Sequence, residues 1–338
     1  MNIFYQRSAY ISHRKAAEAY MECLAALGHD LVEDAAGAEF AIFHDDASNF
    51  PLYAATLPLP PGTPRAGFCV WEADILPEAY IKGLAAVDRV WTPSDFSLAA
   101  IEPHFPGSRV LPHVVSRGRP GRAALSRIME RIGKKKGADQ GPHFFYTVID
   151  SVNPRKNLPG LLEAFVRAFP GRGEEKGPRL VVKQYRKAVD LSAIPGVIGI
   201  DDDLDDEHMA ALHAVCDTFV SAHHAEGWGM ALSEAMSFGN PVLATGYSGN
   251  MQFMNDENSV PLPYTMVTVP QAMCDASPLF TREMRWADVD IPAFAAAMRR
   301  AATNPPDAAK RRLIQESVRA FSPENTARRL EELLREFQ

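Results

Sequence analysis

The sequence predicts an α/β protein with two doubly wound, Rossmann-like domains that face each other across a cleft. The 338 residues are about twice the usual length of a domain, and they contain no recognisable repeat or low-complexity tract. Short apolar runs alternate with helical patterns along the whole chain, which is typical of βαβ units around parallel sheets. Because open α/β sheets bind ligands at the carboxyl ends of their strands, we expect the functional residues to line the cleft.

Five apolar runs in the first 113 residues are strand candidates, and helical patterns lie between them. The predicted strands are NIFYQ at 2–6, EFAIF at 39–43, GFCVW at 67–71, DRVWT at 88–92 and RVLPH at 109–113. The helical pattern HRKAAEAYMECLAALG ends at Gly28, a residue type that commonly closes helices, and SDFSLAAIEPHF begins at Ser94, a good N-cap. These elements predict a first domain over residues 1–125.

The segment after His113, VVSRGRPGRAALSRIMERIGKKKGADQGP, is rich in Gly, Arg and Lys and breaks the alternation, which predicts a domain boundary. A second series of strands follows, at 143–149, 179–184, 196–200, 217–222 and 241–245, with helical patterns between them. A second doubly wound domain is therefore predicted over residues 140–321. The last predicted helix, 322–338, begins with Ser322 as its N-cap and Pro323 at its first position.

Composition and charge exclude several classes of function. The net charge of -7 argues against a general nucleic-acid binder, which needs a surplus of Lys and Arg to neutralise phosphates. The four cysteines are far apart and lack metal-ligand spacing, so we expect buried thiols in a reducing compartment. The N-terminal residues lack a signal-peptide pattern and no apolar run approaches the roughly 20 residues of a membrane span, so a cytoplasmic protein is expected. No G-x-G-x-x-G motif follows a strand, which argues against a nicotinamide or flavin dehydrogenase.

Two carboxylates stand out in the segment HHAEGWGMALSEAMSFGNPVLATGYSGN, residues 223–250. Glu226 lies in the loop after a predicted strand, and Glu234 lies in the next helix, on the order of 10 Å away. Gly227 and Gly229 let the backbone approach a ligand, and the free N–H groups of the helix attract phosphate or hydroxyl oxygens. Such a loop suits a nucleotide sugar, because the carboxylates would accept hydrogen bonds from the sugar hydroxyls. The alternative is that Glu226 caps a turn and Glu234 is a solvated helix residue.

The run AEGWGMALSEAMSFGNPVLATGYSGN resembles the E-x7-E signature of the retaining family-4 (group 1) glycosyltransferases, and GYSGNMQFMNDEN resembles their glycine-asparagine loop. The resemblance implies the GT-B fold, with the last helix crossing back to the first domain. It implies that Glu226 is a catalytic residue facing the transferred sugar and that Glu234 holds the ribose hydroxyls. It also implies backbone contacts to the sugar and diphosphate from Gly227, Trp228, Gly229 and Met230.

A diphosphate leaving group needs positive charge nearby, and DSVNPRKNLPGLLEAFVRAF at 150–169 supplies a candidate. The resemblance implies that Lys156 clamps the diphosphate with Arg155 beside it. Many family members carry a second arginine earlier in this loop, where this chain has Ile149 and Asp150. Lys183 or Arg186, at the end of the next strand, would then supply the missing charge. The alternative is that Arg155 and Lys156 form a solvated loop pair.

The segment CVWEADILPEAYIKGLAAVDRVWTPSDFSLAAI, residues 69–101, resembles a subgroup of the family that carries Trp-Glu followed by Trp-x-Pro-Ser. We place Trp71 and Glu72 at the edge of the cleft in the first domain. In this interpretation Glu72 orients the acceptor hydroxyl and Trp71 stacks on a sugar ring. The alternative is a core tryptophan next to a surface glutamate.

Three further features are interpreted conservatively. The acidic run DDDLDDEH at 201–208 is read as a charged helix N-terminus and not as a metal site. His223 and His224 are expected to line the cleft without binding metal. The basic residues of the linker are read as solvated charge, with peripheral contact to anionic lipid as the less favoured alternative. They are Arg117, Arg119, Arg122, Arg127, Arg131 and Lys134 to Lys136.

The resemblance implies retaining transfer of a hexose from a UDP- or GDP-sugar, with no cofactor or metal required. The expected acceptor is a hydroxyl of a glycan, a lipid-linked sugar or a protein, in cell-surface polysaccharide assembly in the cytoplasm or at the inner membrane face. Front-face attack is the usual proposal for this family, so Glu226 is not assigned as a nucleophile. Two alternatives stay open: an epimerase or phosphorylase on the same fold, and a non-catalytic protein that binds a nucleotide sugar.

Overall fold

The computed structural model describes residues 1–135, 141–170 and 177–337, which form two parallel six-stranded sheets with helices on both faces. Lys136 of the basic linker lies outside the described residues. Apolar side chains fill the space between each sheet and its helices, as expected for parallel sheets that are buried on both faces.

The first sheet has the strand order β2-β1-β3-β4-β5-β6, and all its pairs are parallel. Its strands are β1 (Asn2–Arg7), β2 (Asp30–Val32), β3 (Phe40–His44), β4 (Arg65–Phe68), β5 (Arg89–Thr92) and β6 (Arg109–Val110). Its helices are α1 (Ile11–Ala26), α2 (Phe50–Thr56), α3 (Glu78–Leu84) and α4 (Asp95–Ile101). The five predicted strands are present. The short β2 was not predicted, because DLV is too brief to show a pattern.

The second sheet has the order β12-β11-β10-β7-β8-β9, again all parallel. Its strands are β7 (Phe144–Ile149), β8 (Arg179–Gln184), β9 (Val197–Ile200), β10 (Thr218–Ser221), β11 (Val242–Thr245) and β12 (Val260–Leu262). A two-stranded antiparallel ribbon, β13 (Tyr264–Thr268) and β14 (Arg285–Val289), follows it. The remaining helices are α5 (Arg122–Ile132), α6 (Leu158–Ala168), α7 (Asp206–Val215), α8 (Met230–Ser237), α9 (Gln271–Ala276), α10 (Ile291–Thr303), α11 (Ala308–Ser317) and α12 (Pro323–Arg335).

Each sheet has a point where the chain reverses its direction of progress, between β1 and β3 in the first sheet and between β7 and β10 in the second. At such a point the two adjacent loops leave in opposite directions and open a crevice at the carboxyl ends of the strands. The fold therefore creates one crevice in each domain.

The boundary between the domains differs from the prediction. The segment after His113 contains helix α5, and the predicted boundary at residue 125 falls inside it. Ala124, Ile128 and Ile132 recur every four residues, so they form one apolar stripe that joins the core of the second sheet and packs on α7. The chain crosses between the domains before α5, in a segment without regular secondary structure at 111–121. The charged residues of the linker hid this stripe.

Helix α12 packs against the first domain. Leu330, Leu333 and Leu334 are buried in a cluster with Tyr20 of α1 and Phe40 of β3. Ser322 caps the helix, since its side chain accepts from Asn325 N–H. No helix among the described ranges combines the length and the apolar character that crossing a bilayer requires.

Candidate functional site

The carboxyl ends of both sheets open into one cleft of about 870 Å³. Its second-domain wall is formed by the loops at 150–157 and 222–229, which follow β7 and β10. Its first-domain wall is formed by residues that follow β1 and β3. Because open α/β sheets bind ligands at these crevices, the cleft is the candidate active site.

Glu226 lies in the loop after β10, with its carboxylate between two cations. Its Oε1 is 2.5 Å from Lys156 Nζ, and its Oε2 is 3.3 Å from Arg155 Nη1. Its backbone N–H donates to Ser248 Oγ at 2.8 Å, which fixes the loop. Burial alone would raise the pKa of Glu226, but Lys156 and Arg155 outweigh burial and lower that pKa to about 2. Glu226 is therefore an anion at neutral pH whose two oxygens are both held.

Arg155 connects the two domains through a nearly buried guanidinium. It follows β7 in a tight turn, where Asn153 Oδ1 accepts its backbone N–H at 3.0 Å. Nη1 donates to the Ala225 carbonyl at 2.6 Å, and Nη2 is 3.0 Å from Glu72 Oε1 in the first domain. Burial alone would lower the pKa of Arg155, but Glu72 and Glu226 outweigh it and raise that pKa. Four predicted site residues are thus brought together: Glu72, Arg155, Lys156 and Glu226.

The glycine-rich turn before α8 depends on space that only glycine leaves. Gly229 has a φ of 93° and immediately precedes the helix. A Cβ on Gly227 would lie 2.0 Å from Val70 Cγ1 of the first domain. The side chain of Trp228 is buried in the core of the second domain. A ligand would therefore meet the backbone of this turn, which the resemblance assigns to Gly227, Trp228, Gly229 and Met230.

Glu234 lies in α8 and lines the cleft, with a side chain that is 39% exposed. Its Oε2 is 3.6 Å from Nε2 of the buried His213. The carboxylate is thus open to solvent, and the His213 imidazole beside it lies beyond hydrogen-bond distance. Its expected contact with ribose hydroxyls stays a prediction.

The two residues suggested as extra cations have other partners. Lys183 is buried, and its ammonium donates to the Gln184 carbonyl; burial lowers its pKa, and Asp203 nearby opposes that effect. Arg186 Nη1 is 3.1 Å from Asp150 Oδ2. Both line the cleft, yet neither is bonded to Glu226 in the part of the chain that the structure describes. Asp150 stands where many members of the resembled family carry a second arginine. Its carboxylate thus neutralises the charge of Arg186.

The prediction that Trp71 stacks on a sugar ring is wrong. Trp71 is 1% exposed and its Nε1–H donates to the Ile75 carbonyl at 2.7 Å. Its ring is stacked on Phe280, with centroids 4.9 Å apart, and contacts Tyr80. The ring is therefore packed among core residues, one of which comes from a segment about two hundred positions later. The alternative of a core tryptophan is confirmed, while Glu72 lines the cleft as predicted.

His223 and His224 were expected to line the cleft, and that prediction is wrong. His223 is fully buried, 2.9 Å from Ser221 Oγ and 3.1 Å from Asn250 Oδ1, and burial lowers its pKa to about 4. His224 stacks on Trp286 with ring centroids 4.6 Å apart. Both imidazoles are therefore packed beside the loop of Glu226 and do not line the cleft.

The acidic run at 201–208 forms the start of α7 as predicted. Asp205 is the N-cap, and its Oδ1 accepts His208 N–H at 2.8 Å. Within the described ranges, no three His, Cys, Asp or Glu side chains are grouped in a way that could hold a metal ion.

The structure adds polar residues on the first-domain wall that were not predicted. His44 ends β3, and Asp45 and Asp46 follow it at the reversal point of the sheet. The available signal was the polar run His44-Asp45-Asp46 directly after the apolar run FAIF, at the carboxyl end of a strand.

Comparison with known proteins finds a match within the second domain. Residues 197–261 match the family model described as Glycosyl transferases group 1. The O-antigen chain mannosyltransferase B of Escherichia coli is 30% identical over 123 residues, which are 34% of this chain and 32% of that protein. The aligned part is therefore about a third of that relative's own length.

Solved structures share the fold. WaaG, a glycosyltransferase involved in lipopolysaccharide biosynthesis, superposes with a TM-score of 0.61 at 16% identity, covering 97% of this chain and 98% of that one. Sucrose-phosphate synthase from Thermosynechococcus elongatus gives a TM-score of 0.63 at 16% identity, covering 100% of this chain and 99% of that one. The pneumococcal O-GlcNAc transferase GtfA, solved with UDP and GlcNAc, gives 0.58 at 12% identity, covering 88% of this chain and 56% of that one.

Proposed function

Because the chain belongs to the group 1 glycosyltransferases and has their GT-B fold, we propose that it transfers a hexose from a nucleotide-diphosphate sugar to a hydroxyl of a glycan acceptor. In this reaction the bond between the anomeric carbon and the diphosphate breaks, and a bond to the acceptor oxygen forms. The proton of the acceptor hydroxyl leaves with the departing diphosphate.

The observation that carries the proposal is the position of Glu226 between Lys156 and Arg155 at the reversal point of the second sheet. Without donor, the carboxylate satisfies both cations. A diphosphate brings more negative charge and accepts hydrogen bonds from the same groups, so it competes with Glu226 for them. Glu226 is then free to accept hydroxyl hydrogens of the transferred sugar.

The same two cations support the departure of the diphosphate. Negative charge develops on it in the transition state, and cations fixed in a nearly buried site stabilise that charge more than water does. Arg155 is held by the Ala225 carbonyl and by Glu72, so little reorganisation is needed when the charge develops. Lys156 and Arg155 thus act as the diphosphate clamp, without a bond from Lys183 or Arg186.

We assign a retaining outcome by front-face attack. Front-face attack is what the family resemblance implies, and it requires no carboxylate nucleophile. Lys156 and Arg155 lower the pKa of Glu226 to about 2, so Glu226 is an anion suited to stabilising positive charge. Its proposed roles are to position the sugar and to stabilise the oxocarbenium-like transition state.

The remaining donor contacts come from α8 and the turn before it. Residues 227–230 lead into the N-terminus of α8, and the free N–H groups at a helix N-terminus favour phosphate oxygens. Glu234, open to the cleft, would accept hydrogen bonds from the ribose hydroxyls. The donor is a UDP- or GDP-sugar, with no cofactor or metal assigned, and the setting proposed is cell-surface glycan assembly in the cytoplasm. That setting is supported by the likeness to an O-antigen chain mannosyltransferase and to a glycosyltransferase involved in lipopolysaccharide biosynthesis.

The test is thermal unfolding with UDP, GDP, ADP and their sugar conjugates, followed by turnover of the donor that binds. A ligand at a hundred times its Kd stabilises the folded state by about 2.7 kcal/mol, which a melting curve resolves. We expect one base to raise the melting temperature and Glu234→Ala to lose that response. Glu130→Ala, at an exposed helix position away from the cleft, is the matched control.

Three kinds of outcome would overturn the proposal. Absence of any nucleotide response at millimolar ligand would remove the donor site. Binding of a nucleotide sugar without transfer to any acceptor hydroxyl would favour a non-catalytic binding protein instead, and turnover without an acceptor or with inorganic phosphate would favour an epimerase or a phosphorylase.

A further inference from the structure

Three consecutive backbone carbonyls in the loop before α8 each accept a hydrogen bond from a different group. The Ala225 carbonyl accepts from the buried guanidinium of the diphosphate clamp at 2.6 Å, and the Glu226 carbonyl accepts from Gly249 N–H at 2.8 Å. Both of these donors belong to the second domain. The Gly227 carbonyl accepts from the hydroxyl of Ser94 at 2.6 Å, and Ser94 belongs to the first domain. One carbonyl of the glycine-rich turn is therefore oriented from across the domain boundary.

Ser94 is fully buried, and its hydroxyl both accepts and donates. Ser94 is the N-cap of α4, where its Oγ accepts Ser97 N–H at 3.3 Å while its proton is donated to Gly227. Capping uses only the lone pairs of the oxygen, so it leaves the proton for a second partner. Capping therefore explains why a small polar residue begins α4, but it does not explain the bond to the other domain.

The start of α4 is also bonded to both domains at other points. The Ser97 hydroxyl donates to the Trp71 carbonyl at 2.7 Å, in the loop that follows β4. Asp95 N–H donates to Gln252 Oε1 of the second domain at 2.9 Å. These two bonds lie on either side of Ser94, so its hydroxyl is held in a fixed position between the domains.

The carbonyl that Ser94 holds also sets the direction of the next backbone N–H. The peptide between Gly227 and Trp228 is planar and trans, so its C=O and its N–H point to opposite sides. Gly227 and Trp228 line the cleft, whereas Ser94 is fully buried. Because the carbonyl is held toward Ser94, the Trp228 N–H is turned away from that buried side.

We propose that Ser94 is a positioning residue for the transfer reaction: by holding the Gly227 carbonyl, it keeps the Trp228 N–H directed at the departing diphosphate. The inference rests on the proposed function, because it needs a nucleotide sugar bound at this turn. An N–H that is fixed in advance stabilises the charge developing on the diphosphate more than one that must first reorient. Since the hydroxyl comes from the first domain, the glycine-rich turn is complete only when both domains are placed as they are here.

The experiment uses the full chain and the nucleotide sugar found by thermal unfolding. Ser94→Ala removes the hydroxyl. Ser94→Cys keeps a similar volume but offers only a weak donor, so it carries the test if Ser94→Ala does not fold. The binding stoichiometry of UDP or GDP, measured by calorimetry, gives the folded fraction of each variant, so that kcat is expressed per folded site.

Two control variants separate the bond to Gly227 from its side effects. Ser322→Ala also removes a serine N-cap, that of α12, but it has no bond to the glycine-rich turn. Gln252→Ala removes the other hydrogen bond from the start of α4 to the second domain and leaves the Gly227 carbonyl bonded. The first control measures the effect of losing a cap, and the second measures the effect of a weaker contact between the domains.

We expect Ser94→Ala to lower kcat about tenfold, which corresponds to about 1.4 kcal/mol of transition-state stabilisation, and Ser94→Cys to lower it less. The KM values for donor and acceptor should change less than about threefold, because the charge on the diphosphate grows on the way to the transition state. Hydrolysis of the donor without acceptor should fall by the same factor as transfer, since the diphosphate departs in both reactions. Both control variants should keep the wild-type kcat.

Three results would contradict this role of Ser94 while leaving the donor site intact. They are an unchanged kcat per folded site in the Ser94 variants, an equal loss of kcat in either control variant, or a higher acceptor KM with unchanged donor hydrolysis. A wild type that binds no nucleotide sugar would instead overturn the proposed function, and the role of Ser94 with it.

Discussion

Arg155 of the second domain forms an ion pair with Glu72 of the first, with 3.0 Å between Nη2 and Oε1. The same guanidinium contacts Glu226, so two carboxylates from different domains share one cation at the centre of the cleft. The side chains of Arg155 and Glu72 are 9% and 23% exposed, which makes this pair more effective than a surface salt bridge.

Replacing Glu72 tests that link. We expect Glu72→Gln to lower the free energy of unfolding by about 2 kcal/mol, between the values for surface and buried pairs, because Arg155 loses one of two carboxylates. Turnover should fall about tenfold, since an acceptor hydroxyl loses an orienting group. Glu78→Gln, in an exposed pair with Lys82, should change neither quantity. Full turnover at unchanged acceptor affinity would exclude Glu72 from the site.

Replacing Glu226 should separate nucleotide binding from turnover. Glu226→Gln removes the anion that competes for Lys156 and Arg155, so we expect UDP or GDP to bind several-fold tighter by titration calorimetry. Turnover should fall about 100-fold to 1,000-fold, because the transition state loses a charged group. Glu163→Gln, exposed on α6, serves as the control. Weaker nucleotide binding in Glu226→Gln would contradict the competition between carboxylate and diphosphate.

The contact between Gly227 and Val70 predicts a rescue. In Gly227→Ala the new Cβ overlaps Val70 Cγ1, so the turn and the first domain must move apart and activity should fall at least tenfold. Val70→Ala removes the overlapping atom, and the double variant should regain most of the activity. A Cβ on Gly249 would lie 2.0 Å from the backbone oxygen of Gly227, so Val70→Ala should not rescue Gly249→Ala. Equal rescue of both would show that the overlap is not the cause.

Buried His223 predicts a pH dependence of stability. Its folded-state pKa of about 4 is below the ordinary value, so between pH 4 and about 6.5 the unfolded chain binds a proton that the folded protein does not. Stability from this group is therefore present above pH 6.5 and is lost as the pH falls. Between pH 7 and pH 5 the free energy of unfolding, measured with urea, should fall by about 2 kcal/mol less in His223→Gln than in the wild type. The control His104→Gln, at an exposed position, should show the wild-type change of unfolding free energy with pH. If His223→Gln shows that same change, His223 does not titrate in this way.

Much of the architecture follows from the sequence because buried parallel strands are short apolar runs. The runs that became β3, β7 and β8 were visible as such, and the signature around Glu226 indicated which loop carries the donor site. Helix α5 was missed, since its apolar stripe is only one residue wide among arginines and other polar residues.

The remaining errors concern what covers a residue. Trp71 is buried by Phe280, and no local pattern links positions so far apart. The bond between Arg155 and Glu72 likewise exists only once the two sheets are placed face to face. Local pattern identifies strands and motifs, whereas side-chain partners across a cleft depend on tertiary packing.

The return of α12 to the first domain affects the order of folding during synthesis. The core of the first domain contains Leu330 and Leu333, so it lacks part of its apolar interior until residues 323–335 have left the ribosome. The second sheet, whose strands end at Leu262, has emerged by then. The domain that is made first is therefore the last to be completed, and a fragment truncated before α12 would expose an apolar groove beside α1 that a synthetic peptide of 323–335 should fill.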